Sequence, residues 1–226
     1  MKNIPLLVAT IVGTLAFVFG IAFFFSRSSA PQTVDLAQLS TGARHIAQSP
    51  KSPVASDSAT PSAQADQALI QIVEFSDFQC RACKDSAGLK SQILAKYPGK
   101  VEFIYRHYPL ISIHPNAMGA AQAAEVASSF DKFWEMHDVL FAKQEEWAEL
   151  GQDQAKEKFI QYAQELKIEK DPFTALLNND TVKNAVQSDI TLGNQVKISA
   201  TPTFFVNGKK VSAPEVMLTI DALLAP

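Results

Sequence analysis

The sequence predicts an α/β fold with a mixed sheet, ordered β-α-β, then a helical block, then β-β-α. Three observations carry this reading. Residues 68–76 and 101–108 are runs of β-branched and aromatic residues, separated by a helical pattern over about 80–96 that ends at Pro98-Gly99. From about residue 112 to 197 the pattern is helical throughout, beginning with an alanine-rich stretch. Residues 203–206 then lead through Asn207-Gly208, a strong hairpin signal, to a short partner near Val211.

The elements follow in order. The strand at 68–76 is apolar enough to be buried on both faces, and the strand at 101–108 stops at Pro109. The order strand, helix, strand implies a parallel pair with a crossover between them. Helices are expected over 115–129, 133–147 and 153–166, with two more over 171–196. A closing helix over 214–224 has proline at its start. The helical block, about 112–197, reads as an insertion that covers part of a site, and the hairpin as antiparallel strands added to the same sheet.

The flanking N-terminal sequence differs in character. Residues 4–25 form a 22-residue run without charge, preceded by Lys2 and followed by Arg27. At ~1.5 Å per helical residue such a run crosses a hydrocarbon core of ~30 Å. A membrane anchor is expected over 1–27. The alternative is a signal peptide cut near Ser28-Ser29-Ala30, and either would carry the rest of the chain across the membrane. Residues 28–66 read as a disordered Pro/Ser/Ala-rich linker in which Leu36 and Leu39 at most begin a short helix and His45 is solvated. The folded domain is expected over 67–226. The net charge of -3 argues against a nucleic-acid partner.

Cys80 and Cys83 are the two cysteines of the chain. A bridge closing over two residues removes little chain entropy, so its value is chemical rather than structural. The pair sits where the first strand passes into a helix. Unpartnered amides and the positive end of the helix dipole favour a thiolate there, so Cys80 should be the exposed nucleophile with a lowered pKa. Cys83, one turn on, should resolve a mixed disulfide. Arg81 between them is expected to stabilise the Cys80 thiolate further. Glu74, six residues before Cys80 in a buried strand, is expected to have a raised pKa and to relay a proton to the resolving thiol.

Pro202, in Ala200-Thr201-Pro202-Thr203, precedes the later strand, and a cis bond there would aim the Thr201 backbone at an extended peptide. Phe78 is a candidate lining of that groove. C-x-x-C also opens zinc sites, but no second C-x-x-C follows, and His107 and His114 lack metal-site spacing, so no metal site is expected. Phe133, Trp134, Met136 and His137 read as the core and edge of the insertion. Asn179-Asp180-Thr181 is a lone glycosylation sequon.

Four blocks resemble the DsbA-like thiol:disulfide oxidoreductases of the thioredoxin superfamily. They are Val73-Glu-Phe-Ser-Asp-Phe-Gln-Cys80-Arg-Ala-Cys83, His114-Pro-Asn-Ala117 with the alanine pairs that follow, Lys132-Phe-Trp-Glu-Met-His-Asp-Val-Leu-Phe141, and Ala200-Thr-Pro-Thr-Phe-Phe-Val-Asn-Gly208. The resemblance spans about 68–226. It implies a thioredoxin fold with a helical insertion, a cis Pro202 facing the cysteine pair, Cys80 as attacking and Cys83 as resolving thiol, Glu74 as buried acid, and Thr201-Pro202 as the peptide-contacting loop. The chain departs from the pattern at Arg81-Ala82, where many relatives have proline after the first cysteine. That dipeptide tunes the potential, so the direction of electron flow stays open.

The expected function is a membrane-tethered, extracytoplasmic oxidoreductase that introduces disulfides into cysteine-containing exported proteins. It would use no cofactor beyond the Cys80–Cys83 disulfide, and a membrane or soluble redox partner would recycle the pair. A reductase or isomerase of the same fold is the first alternative, and a thiol-based metal-binding protein the second.

Overall fold

The computed structural model describes residues 33–48 and 69–225. The expected anchor at 4–25 lies outside them. Among the described residues no helix is long and apolar enough to cross a membrane.

The described elements begin earlier than the sequence suggests. A short helix, α1 (Leu36–Ser40), and a strand, β1 (His45–Gln48), come first. They are followed by β2 (Ile70–Ser76), α2 (Arg81–Ser86), α3 (Leu89–Lys96) and β3 (Val101–His107). The insertion comprises α4 (Ala117–Ser128), α5 (Phe133–Ala142), α6 (Gln144–Trp147), α7 (Gln152–Glu165), α8 (Lys170–Leu177) and α9 (Asp180–Gln195). The chain closes with β4 (Thr203–Val206), β5 (Lys209–Val211) and α10 (Ala213–Leu224).

The sheet order is β1-β3-β2-β4-β5. β2 and β3 run parallel, with Glu74 opposite Tyr105 and Ser76 opposite His107; β4 is antiparallel to β2, with Phe204 opposite Glu74. The β4–β5 turn places Asn207 at φ 46° and Gly208 at φ 79°, the pair of positive values a two-residue hairpin needs. Ser212 and Glu215 form a capping box on α10, with a proline in the first turn. The single helix expected over 80–96 is two, α2 and α3, joined through Ala87 and Gly88.

Alternation along the strands divides the core. Ile70, Ile72, Phe103, Phe204 and Val206 pack with Ile93 of α3 and with Val216 and Ile220 of α10. Val73, Phe75, Ile104 and Phe205 pack on the other face with Leu39 of α1 and with Val196 and Ile198. The insertion carries its own core around Met136, Leu140, Phe141, Trp147, Phe159 and Phe173, which reaches the sheet at Phe78 and Tyr105.

The segment expected to be a disordered linker is, over residues 33–48, part of this fold. β1 pairs antiparallel with β3, so β3 is an inner strand. His45, expected in solvent, is 3% exposed. A five-residue helix is too short to persist alone, and side chains from elsewhere hold α1. Arg106 on β3 donates to the carbonyls of Leu39 (2.7 Å), Thr41 (2.8 Å) and Gly42 (3.2 Å), groups that the end of a helix leaves without partners. The same guanidinium pairs with Asp189 of α9 at 2.9 Å, with both side chains buried. Arg44 bridges Asp189 (3.0 Å) and Glu125 of α4 (2.8 Å). The contacts that fix this arm, the β3 ladder, the Leu39 packing and the ion pairs, are all distant in sequence, which a local reading of residues 31–48 does not register.

Removing one partner of a buried ion pair leaves an uncompensated charge, at a cost of about 3–5 kcal/mol. Asp189→Ala, which leaves buried Arg106 without its carboxylate and Arg44 with Glu125 alone, should lose about that much stability in urea denaturation. Residues 33–48 should become the first point of attack in limited proteolysis, whereas an unchanged cleavage pattern would show that the arm is held by other means.

Candidate active site

The site is built at the end of β2. Asp77 is buried, and its carboxylate accepts from the backbone N–H of Gln79 (2.8 Å), an Asx-turn, and from that of Leu110 (2.8 Å). It also meets His114 Nδ1 at 2.7 Å. One short side chain therefore bends the chain into the cysteine turn and ties that turn to the loop after β3. Its backbone N–H approaches Cys83 Sγ at 3.5 Å. Two amides complete the frame. Gln144 Nε2 donates to the carbonyls of Phe78 (2.7 Å) and Cys80 (3.0 Å). Gln79 Nε2 donates to the Ala148 carbonyl at 2.6 Å, and its Oε1 accepts from Asn116 N–H at 2.7 Å. Sequence reasoning missed these residues. Asp77 did leave a signal, an acid two residues before a turn residue at a strand end.

Cys80 is the N-cap of α2, with an extended backbone (φ -73°, ψ 127°). It is half-buried and Cys83 is fully buried, and both are free thiols. The Cys80 pKa is pulled down to about 5, most strongly by the hydrogen bond from Cys83. Burial opposes this, while Thr201 and the backbone N–H groups of Cys83 and Ala82 add to it. The Cys83 thiol is pushed up by burial, by its bond to Cys80 and by the nearby Glu74 charge. The two thiols are therefore unlike: one is an accessible thiolate, the other a buried proton donor.

The Thr201–Pro202 peptide is cis. The Thr201 carbonyl lies 3.4 Å from Cys80 Sγ and accepts from the thiol, while the buried Thr201 hydroxyl has no protein hydrogen-bond partner. Glu74 is 2% exposed, and burial pushes its pKa up to about 8, against the opposing effects of Ser76 and Lys90. Glu74 Oε1, Ser76 Oγ and the Tyr105 hydroxyl are all buried without a protein hydrogen-bond partner.

Two expectations need correction. Arg81 does not reach the thiolate: its guanidinium is 73% exposed and turns towards Glu145 at 3.5 Å, so Cys83, Thr201 and the helix amides lower the Cys80 pKa. Ala82 contributes through its backbone alone. Phe78 lines no groove. It is 1% exposed and packs on Tyr105 and Phe141, with ring centroids 5.4 and 4.9 Å away, because the turn sends it into the insertion core. His114 serves Asp77. The sequon asparagine caps α9, its side chain accepting from Thr181 N–H at 2.7 Å.

Residues 61–225 match the family described as Thioredoxin. The chain belongs to this family. Oxidised BdbD from Bacillus subtilis is 27% identical, with a TM-score of 0.60 over 70% of this chain and 89% of that one. A variant of α-DsbA1 from Wolbachia pipientis superposes with a TM-score of 0.63 over 84% of this chain and 96% of that one; at 19% identity this speaks for the fold. Curated relatives include Na(+)/H(+) antiporter NhaA 3 of Salinispora tropica, 34% identical over 70% of this chain and 23% of that protein. Another is NhaA 1 of Mycolicibacterium vanbaalenii, 31% identical over 88% and 30%. The chain spans about a quarter of the length of these antiporters.

A lowered Cys80 pKa predicts that iodoacetamide modifies the reduced protein at Cys80 with a rate that titrates near pH 5, while Cys83 stays unmodified. Because the Cys83 hydrogen bond is the largest cause, Cys83→Ala should move that midpoint up. A midpoint near the ordinary ~8.5 in the wild type would contradict the site described.

Proposed function

We propose that this chain is an extracytoplasmic thiol:disulfide oxidoreductase, tethered through residues 4–25, that donates disulfides to exported proteins. The observation that carries the reading is the stabilised thiolate at half-exposed Cys80, one turn before a fully buried Cys83. A thiolate held this far below its ordinary pKa stabilises the reduced pair, and a stable reduced form makes the disulfide a strong oxidant.

The cycle starts from the Cys80–Cys83 disulfide. A substrate thiolate attacks Cys80 Sγ, forming a mixed disulfide and releasing Cys83 as a thiolate. Buried and disfavoured as an anion, Cys83 takes a proton, and the Glu74 carboxyl is its source. A second substrate thiolate then attacks the substrate sulfur of the mixed disulfide, and Cys80 leaves as the stable thiolate. The substrate gains a disulfide, and two electrons remain on the cysteine pair. A membrane or soluble redox partner takes them away. The cis Thr201–Pro202 loop, beside Cys80 Sγ, is placed to receive an extended substrate backbone.

Equilibration with glutathione tests the direction. A potential near the oxidising end, ~-120 mV, supports a disulfide donor, and one near ~-270 mV, as in thioredoxin, makes the chain a reductase. Glu74→Gln keeps the shape and removes the proton. It should leave the fold intact and slow formation of the Cys80 mixed disulfide from the oxidised pair by about 10²-fold or more, measured by stopped-flow with a cysteine peptide. An unchanged rate would remove Glu74 from the relay.

A further inference from the structure

On the sheet face that carries Tyr105, β1, β3 and α4 bring together His45, His107 and Glu125, all buried. His45 Nε2 lies 2.9 Å from Glu125 Oε1, and His107 Nε2 lies 3.2 Å from the same oxygen but off the direction of a hydrogen bond. One ligating atom from each residue falls within 4.8 Å of the other two. His107 is 1% exposed, and neither ring nitrogen has a hydrogen-bond partner. A buried imidazole without partners is costly unless something else binds it.

We propose that His45, His107 and Glu125 form a zinc(II) site closed by Arg44. Two imidazoles and one carboxylate make a borderline donor set that suits zinc and its neighbours rather than calcium or magnesium. Zinc bonds of ~2.0–2.1 Å in a tetrahedron place ligand atoms about 3.3–3.4 Å apart, close to the 2.9 and 3.2 Å that separate the two histidine nitrogens from Glu125 Oε1. The His45 ring is already oriented, stacked on Phe133 at 3.4 Å between centroids.

Arg44 is the obstacle and the gate. Its guanidinium lies 2.8 Å from Glu125 Oε1, where it repels a second cation. It is 31% exposed, and it also bonds Asp189 Oδ2 (3.0 Å), the Ala185 carbonyl (2.8 Å) and Ser188 Oγ (3.2 Å). It can release Glu125 and stay paired. Because the three ligands come from β1, β3 and α4, the bound ion would pin the N-terminal arm to the domain.

The test titrates Co(II) into the full chain in its disulfide form, which withholds both thiols. One equivalent should bind with the visible absorption of a low-coordinate cobalt site and no thiolate charge-transfer band, and zinc should displace it. His45→Asn and His107→Gln, each checked for folding by circular dichroism, should weaken binding about tenfold or more, and Arg44→Gln should tighten it by a similar factor. No saturable binding to the wild type, or binding unchanged in both histidine variants, overturns the site. Weaker binding in Arg44→Gln overturns Arg44 as its gate.

Discussion

The buried carboxylate of Asp77 is the constraint on which the rest of the site depends. It satisfies two backbone amides and a histidine at once, and those groups belong to the turn before the cysteines and the loop after β3. A charge at this depth is tolerable because every side it presents meets a donor. Once Asp77 is set, the chain enters α2 at Cys80, and Cys83 follows one turn on, beneath the surface. The difference between the thiols is therefore a difference in access to water, imposed by the backbone and amplified by the hydrogen bond between them. Gln144 and Asn116 extend the same framework into the insertion, so the helical block serves as a brace as well as a cover.

Beneath the site the sheet carries an unusual load of polar groups. Glu74, Ser76, Arg106 and His107 all lie on its two central strands and are all buried. They serve different ends. Glu74 faces the cysteines and stays short of partners, which keeps its carboxyl protonated in the neutral range. Arg106 faces the other way and is tied to Asp189 and the carbonyls of α1. Buried ion pairs contribute little net stability compared with apolar packing, but they penalise wrong partners heavily. Here they join the N-terminal arm to β3, α4 and α9.

Much of this was legible in the sequence where the signal was local. The order of strands and helices, the type of the Asn207-Gly208 hairpin, the placement of C-x-x-C at a helix start and the burial of Glu74 follow from patterns a few residues long. Three features were not local. β1 is four residues, His-Ile-Ala-Gln, inside a Pro/Ser/Ala-rich stretch, and its ion-pair partner Glu125 lies 81 residues from Arg44. Phe78 and Arg81 flank the same turn, and spacing alone did not tell which would point into the insertion and which into solvent. Asp77 could be read as a turn former, but its bonds to Leu110 and His114 depend on how the loop after β3 returns.

β1 has a further consequence. Without it, seven-residue β3 would present an open row of backbone donors and acceptors. With it in place, the described sheet ends in a four-residue strand on one side and, on the other, in three-residue β5 bearing Lys209 and Lys210. Short, charged margins of this kind resist the addition of foreign strands. By occupying β3, the N-terminal arm limits where a foreign strand can attach to the described sheet.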